Sequence, residues 1–283
     1  MLLQQPHPFL KVRVHDLAVK PSVTGLCVGY ELGEWRKSQF TDHVMEWLPE
    51  FCLTHSEIES LHSGNMIALI REAAKKVYKS EKFKNRGEFG EIFLHAAIRQ
   101  VFGSLPAISK IYYKSARNET VKGFDAVHVV VAEDGLELWL GEAKFYDDIK
   151  RAIKDVVAEL QQHTERNYLR DEFLLLSGKV DPKWPHAGEL KKLISPSTSL
   201  DDVFKRVCIP VLLTYDSQCV SNHTKCSADY VKELESEIIE YHKTFCSKEL
   251  PPNVVIHLFL LPLHKKKELI VELDNKLKGL QSI

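Results

Sequence analysis

The chain has 283 residues, with 38 Lys and Arg against 39 Asp and Glu, for a formal net charge of −1. That balance excludes recognition of an acidic polymer by bulk charge, so a nucleic-acid partner requires basic residues gathered on one surface. Hydrophobic residues at 44% and charged residues at 27% exclude a disordered, collagen-like or coiled-coil chain, and the length fits one elaborated domain or two small ones.

The first ten residues place Pro6 and Pro8 where a signal peptide would need an apolar run, and no basic flank precedes them, so a cytoplasmic protein is expected. Residues 11–30 read as short extended segments, with Val12 and Val14 alternating before Pro21 and an apolar run from Gly25 to Tyr30. A helix from Phe40 carries Val44, Met45, Trp47 and Leu48 until Pro49 stops it. A second helical pattern from Ser56 holds Ile58, Leu61, Met66, Leu69, Ile70, Ala73, Ala74 and Val77, interrupted near Gly64. The Lys-rich stretch 75–86 marks the expected boundary between an N-terminal α+β region, residues 1–80, and a second domain, residues 81–283. Trp35, Phe40, Trp47 and Phe51 make the first region a candidate for docking a partner, with burial in its own core as the alternative.

From Gly87 the spacing of Phe89, Ile92, Phe93, Ala96, Ala97 and Val101 predicts a helix over 87–102, ended by Gly103. Residues 108–114, 125–132 and 136–144 are rich in β-formers, and Asp134-Gly135 between the last two predicts a hairpin. A helix over 147–162 carries the stripe Ile149, Ile153, Val156, Val157 and Leu160. Buried strands follow over 207–215 and 254–261, adjoining helices over 228–241 and 265–280. The longest apolar run, 254–263, is about half a membrane span and contains His257 and Pro262, so no transmembrane helix is expected. The order of elements makes an α/β domain. The 6 cysteines read as reduced thiols. Cys219, His223, Cys226, His242 and Cys246 match the spacing of no standard zinc finger or ribbon and read as buried thiols and surface histidines.

A two-residue hairpin loop at Asp134-Gly135 sets Asp125 opposite Lys144 and Glu142 opposite Val127. Side chains two apart share a face, so Asp125, Glu142 and Lys144 project from one side together with Val127, Val129, Val131, Leu136, Leu138 and Leu140. Charges at the end of an apolar face are costly unless paired, and one lysine does not neutralise two carboxylates. A hard divalent cation, Mg²⁺ or alternatively Mn²⁺, would resolve the excess. Beside it, the Lys144 ammonium can orient a water aimed at phosphorus or stabilise developing charge. A register slip of one residue would send Asp125 to the opposite face.

Phe124-Asp125, the hairpin and Gly141-Glu142-Ala143-Lys144 together resemble the signature of the PD-(D/E)xK nucleases, with Phe124 in place of the leading proline. The resemblance implies a restriction-endonuclease-like core, a mixed sheet flanked by helices, in which Asp125, Glu142 and Lys144 are catalytic. It also implies a metal held by Asp125, Glu142, the Ala143 carbonyl and a glutamate from the helix opened by Gly87-Glu88-Phe89-Gly90-Glu91, with Glu91 favoured over Glu88. Gly29-Tyr30-Glu31, Gly33-Glu34-Trp35-Arg36 and Glu46-Trp47-Leu48-Pro49-Glu50-Phe51 extend this to a closer resemblance, to the HamA nuclease subunits of Hachiman anti-phage systems. Landmarks of that family run from about residue 25 to 145. Its members imply a bacterial defence role, a DNA substrate, and restraint by a superfamily 2 helicase, HamB.

Lys110, Tyr112, Tyr113, Lys114, Arg117 and Lys122 form a basic stretch with interleaved tyrosines just before Asp125, suited to phosphate contacts and base stacking. Lys150 and Lys154 share one face of the following helix, where DNA could pass or which could be an ordinary solvated face. Gln161 and Gln162 sit where some exonuclease-like relatives place a glutamine, but the tyrosine that follows it there is missing, so they receive no role. The reading from another class is a catalytically vestigial DNA-binding or helicase-docking regulatory subunit.

Overall fold

The described residues of this computed structural model are 5–77, 87–109, 123–133 and 135–283. Their strands are β1 (Lys11–Asp16), β2 (Ser22–Cys27), β3 (Tyr30–Glu31), β4 (Glu34–Trp35), β5 (Leu105–Ser109), β6 (Ala126–Ala132), β7 (Gly135–Lys144), β8 (Val207–Asp216) and β9 (Val255–Leu263). Their helices are α1 (Lys37–Glu46), α2 (Leu48–Cys52), α3 (His55–Glu59), α4 (Met66–Val77), α5 (Gly87–Phe102) and α6 (Ile149–His163), then α7 (Arg166–Ser177), α8 (Ala187–Leu193), α9 (Leu200–Phe204), α10 (Gln218–Asn222), α11 (Ala228–Cys246) and α12 (Lys266–Ser282). Seven strands form one mixed sheet in the order β1-β2-β9-β8-β7-β6-β5, and β3 with β4 forms a small ribbon. β2, β9, β8 and β7 run parallel, while β1, β6 and β5 pair antiparallel with their neighbours.

The central strands are buried on both faces, which is why they read as near-continuous apolar runs. β7 sends Leu136, Leu138 and Leu140 to one face and Trp139 to the other, and β9 divides Leu258 and Leu260 from Phe259 and Leu261 in the same way. The first face is covered by α6, α7, α8 and α11, and the second by α1, α2, α4, α5 and α12. No helix among the described residues is long and apolar enough to cross a membrane.

The helix expected over 87–102 is α5. The strand expected over 108–114 begins earlier, at Leu105, and its residues from 110 onward lie outside the described residues. Phe40, Trp47 and Phe51 are fully buried, and Trp35 packs against the same cluster, so these aromatics build the protein's own core. β1 and β2 extend the sheet beyond β9, so residues on both sides of position 80 share one sheet. α7 escaped the sequence reading because its inward residues Leu169, Phe173 and Leu176 are accompanied by outward Leu174 and Leu175, 68% and 53% exposed, which blur the helical stripe.

Two glycines set how closely α5 approaches β7. A Cβ on Gly90 would lie 2.9 Å from the Phe145 Cβ, and one on Gly141 would lie 2.7 Å from Leu94 Cδ2. Helix propensity alone favours Gly90→Ala by about 1 kcal/mol, but the Phe145 Cβ cannot rotate away, and overpacking of this kind costs about 1–3 kcal/mol. Gly90→Ala is therefore expected to lower the denaturant midpoint; a rise would show that α5 and β7 separate freely.

His257 on β9 bonds Ser22 Oγ through Nδ1 at 2.6 Å and Thr24 Oγ1 through Nε2 at 2.8 Å. Burial lowers its pKa from 6.5 to about 4. Because the folded value lies below the unfolded one, the unfolded chain takes up the proton first. The stability held at neutral pH is lost as pH falls through that window. Urea midpoints are expected to be lower at pH 5 than at pH 7, with a smaller drop in His257→Asn; equal drops in both proteins would contradict this.

Candidate active site

The β6–β7 register departs from the sequence expectation by one position in the connection. Ala132 pairs with Gly135 and Ala126 with Gly141, so Gly135 belongs to the paired strand and not, as expected, to the hairpin loop. Gly135 has φ 124°, a conformation natural to glycine, and enters the strand as its first paired residue. Asp125 N–H donates to Gly141 O at 2.8 Å, which places Asp125 beside Glu142 and not opposite Lys144. The pairing moves by two residues, an even step, so the three side chains keep a common face. That face is the one carrying Leu136, Leu138 and Leu140 in the core, with Glu142 and Lys144 next in alternation, at the carboxyl end of β7 where open α/β sheets commonly bind ligands.

A cleft of about 570 Å³ opens there, lined by Glu91, Asp125, Glu142, Ala143 and Lys144 among others. Asp125 is buried, and its Oδ2 accepts the Ala143 N–H at 2.8 Å. Glu142 is 1% exposed. His163 Nδ1–H donates to its Oε1. Burial pushes the Glu142 carboxyl up; Asp125 pushes the same way, against His163 and Lys144. Burial lowers His163, but the hydrogen bond and charge of Glu142 outweigh it and leave the imidazole raised. Burial likewise lowers Lys144, yet its ion pair with Glu159 prevails and holds it above the usual lysine value. The His163 ring is fixed by stacking on Tyr168, with centroids 4.4 Å apart, and by the edge of Phe124 at 5.2 Å.

Of the sequence candidates, Glu91, Asp125, Glu142, Ala143 and Lys144 come together, while Glu88 is half-buried and not among the cleft-lining residues. Ala143 contributes its N–H, to Asp125; the expected role was for its carbonyl. Lys150 and Lys154 are exposed on α6 and do not line the cleft. Lys114, Arg117 and Lys122 lie outside the described residues, as do Lys110, Tyr112 and Tyr113.

Sequence reasoning missed His163, Glu159, Tyr168 and three further cations of the cleft, Arg151, Lys266 and Lys267; Gln162, left without a role, lines it too. His163 was findable: the α6 stripe Ile149, Ile153, Val156, Leu160 steps by four, three and four, and the next step of three lands on His163. Lys266 and Lys267 open α12 after β9 and carry no local signal of the cleft. The Lys266 ammonium lies 4.9 Å from the Phe145 ring centre, and burial lowers its pKa. Arg151 lies 5.1 Å from the Tyr146 ring centre. The two aromatics that follow Lys144 thus seat two cations beside the carboxylates.

The family profile of HamA matches residues 7–277. A curated protein, anti-bacteriophage protein A of Escherichia coli (strain K12), is similar to this chain, with 24% identity over 266 residues, 88% of this chain and 46% of that protein. The chain therefore spans about half the length of that relative. Since the profile match begins before β1 and ends within α12, the chain belongs to the HamA family.

Proposed function

We propose that the chain is a metal-dependent deoxyribonuclease, the effector of a bacterial anti-phage defence system, held in check by a superfamily 2 helicase partner, HamB. The observation that carries this reading is the convergence of Asp125, Glu142 and Lys144 at one end of an apolar sheet face, with Glu91 in the same cleft. The antiparallel β6–β7 hairpin followed by parallel β8 supports a PD-(D/E)xK core. Family membership and the similarity to anti-bacteriophage protein A of Escherichia coli support the defence role.

The donor set fits a hard divalent cation. Glu91, Asp125 and Glu142 offer only carboxylate oxygens, and within the cleft the Lys144 charge is balanced by Glu159. These three residues would hold Mg²⁺, or alternatively Mn²⁺. When bound, the ion supplies Lewis-acid polarisation of a phosphoryl oxygen and neutralises charge in the cleft. Asp125 is oriented by the Ala143 N–H and Glu142 by His163. Lys144 exchanges Glu159 for the attacking water, which it orients, and then faces the charge that develops at phosphorus. Arg151, Lys266 and Lys267 meet the flanking phosphates. With a net charge of −1, the isolated subunit grips DNA modestly and with steep salt dependence, which favours a partner that holds the DNA.

The test is plaquing of phage on cells that carry the whole system with either the wild-type chain or Glu142→Gln. The variant is expected to abolish protection while accumulating to the wild-type level. Full protection by Glu142→Gln would overturn the reading in favour of a helicase-docking regulatory subunit.

A further inference from the structure

Away from the cleft, Cys219, His223 and Glu233 bring one donor atom each within 4.8 Å of one another. Cys219 lies in α10, His223 is the C-cap of that helix, and Glu233 lies on α11. Two other members of the Cys and His set, His242 and Cys246, go elsewhere. His242 Nε2 is 2.8 Å from Pro21 O and 3.3 Å from Cys246 Sγ, a separate contact near the far end of α11. The third donor, Glu233, belongs to no spacing motif with the other two and only the fold supplies it.

We propose that Cys219, His223 and Glu233 form a zinc site that fastens α10 to α11. A thiolate, an imidazole and a carboxylate are the three side-chain types that zinc takes, whereas hard Mg²⁺ avoids sulfur. Cys219 sits within α10 and His223 closes it as an extended C-cap residue, and the chain there brings their donor atoms together. A tetrahedral ion with its usual bond lengths sets donor atoms roughly 3.3–3.8 Å apart, so small side-chain rotations carry this cluster to a ligating geometry. His223 Nε2 and Glu233 Oε2 already lie 2.9 Å apart. Zinc replaces that hydrogen bond with two bonds to the ion, and the Cys219 thiol proton leaves to solvent. Cys219 is buried while Glu233 is exposed, so the fourth position faces water.

The site would secure a junction that matters to the fold. Tyr30 Oη donates to Val220 O at 2.6 Å, which ties the β3–β4 ribbon to α10. His223 also meets the Tyr230 ring of α11 edge-on, with centroids 5.3 Å apart. An ion here would fix α10, the ribbon and α11 together.

The experiment uses the full chain purified without chelator, assayed for zinc by elemental analysis and then exchanged with Co²⁺. Wild type is expected to retain zinc at one ion per chain and, with Co²⁺, to show the thiolate-to-metal charge-transfer band. Cys219→Ser should lose that band, and His223→Ala and Glu233→Gln should weaken Co²⁺ binding by about tenfold or more. Glu233→Gln changes an exposed side chain, so its fold is expected to survive even if Cys219→Ser unfolds. Cys246→Ser and Glu142→Gln should keep the band, which separates this site from the carboxylate cleft. No zinc and no cobalt band in wild type, or a band that persists in Cys219→Ser, would overturn the proposal.

Discussion

On the nuclease reading proposed above, Lys144→Ala is expected to lower the rate of DNA strand cleavage by roughly 10²–10⁴-fold while Mn²⁺ binding persists. Glu142→Gln is expected to lose both. The split follows from position. Glu142 is 1% exposed and shares the cleft with Asp125 and Glu91, so on that reading its loss removes a cation ligand. Lys144 is held by Glu159 on α6 and would act on the nucleophile and on transition-state charge. Gln at 142 keeps the volume and an oxygen that accepts the His163 N–H, so its loss of activity is a matter of charge and ligation, not of folding. Calorimetric titration of Mn²⁺ into both variants, beside cleavage rates, measures the split. Equal loss of binding in both would place Lys144 in the architecture of the cation site.

Arg99→Ala is expected to give the largest loss of stability. Arg99, 3% exposed, binds Glu50 through Nε at 2.5 Å and Nη2 at 3.2 Å, and donates also to Ser104 O. His95 Nε2 faces Glu50 Oε1 at 3.2 Å, and His128 continues the chain between His95, 3.1 Å away, and Ser104 Oγ, 2.9 Å away. Burial alone would raise the Glu50 carboxyl, but His95 and Arg99 reverse that and leave it lowered. Deleting the guanidinium strands a buried carboxylate, a change that costs about 3–5 kcal/mol. Arg99→Met with Glu50→Leu should cost less than Arg99→Ala alone, because no unpaired charge remains. Denaturant unfolding of the three proteins checks this, and a single-variant loss below about 1 kcal/mol would contradict it. The network joins α2, α5 and β6, so it also braces the strand that follows Asp125.

The sequence carried the elements whose apolar pattern is local. α5 shows a helical stripe along its whole length, and the runs of β8 and β9 are apolar because helices cover both faces of the sheet. The common face of Asp125, Glu142 and Lys144 was legible through the two-residue period of a strand, and it survived a misplaced turn only because the pairing moved by an even number. The partners of these residues were harder to see. His163 follows the α6 stripe but breaks its chemistry, being a titratable group where an apolar one was expected. Lys266 and Lys267 reach the cleft through the parallel pairing of β9 with β8, and β2 joins the sheet beside β9 through a contact between distant parts of the chain. Such long-range adjacency leaves no trace in local periodicity. α7 was hidden by exposed Leu174 and Leu175, which cover no core.

The most direct measurement is cleavage of supercoiled and linear DNA by the purified chain together with the helicase proposed as its partner and ATP, in Mg²⁺ or in EDTA, with Glu142→Gln in parallel. Strand breaks by the wild type in Mg²⁺, none in EDTA and none by Glu142→Gln are expected. Intact DNA in every wild-type reaction, or equal cleavage by Glu142→Gln, would contradict a nuclease built on Asp125, Glu142 and Lys144.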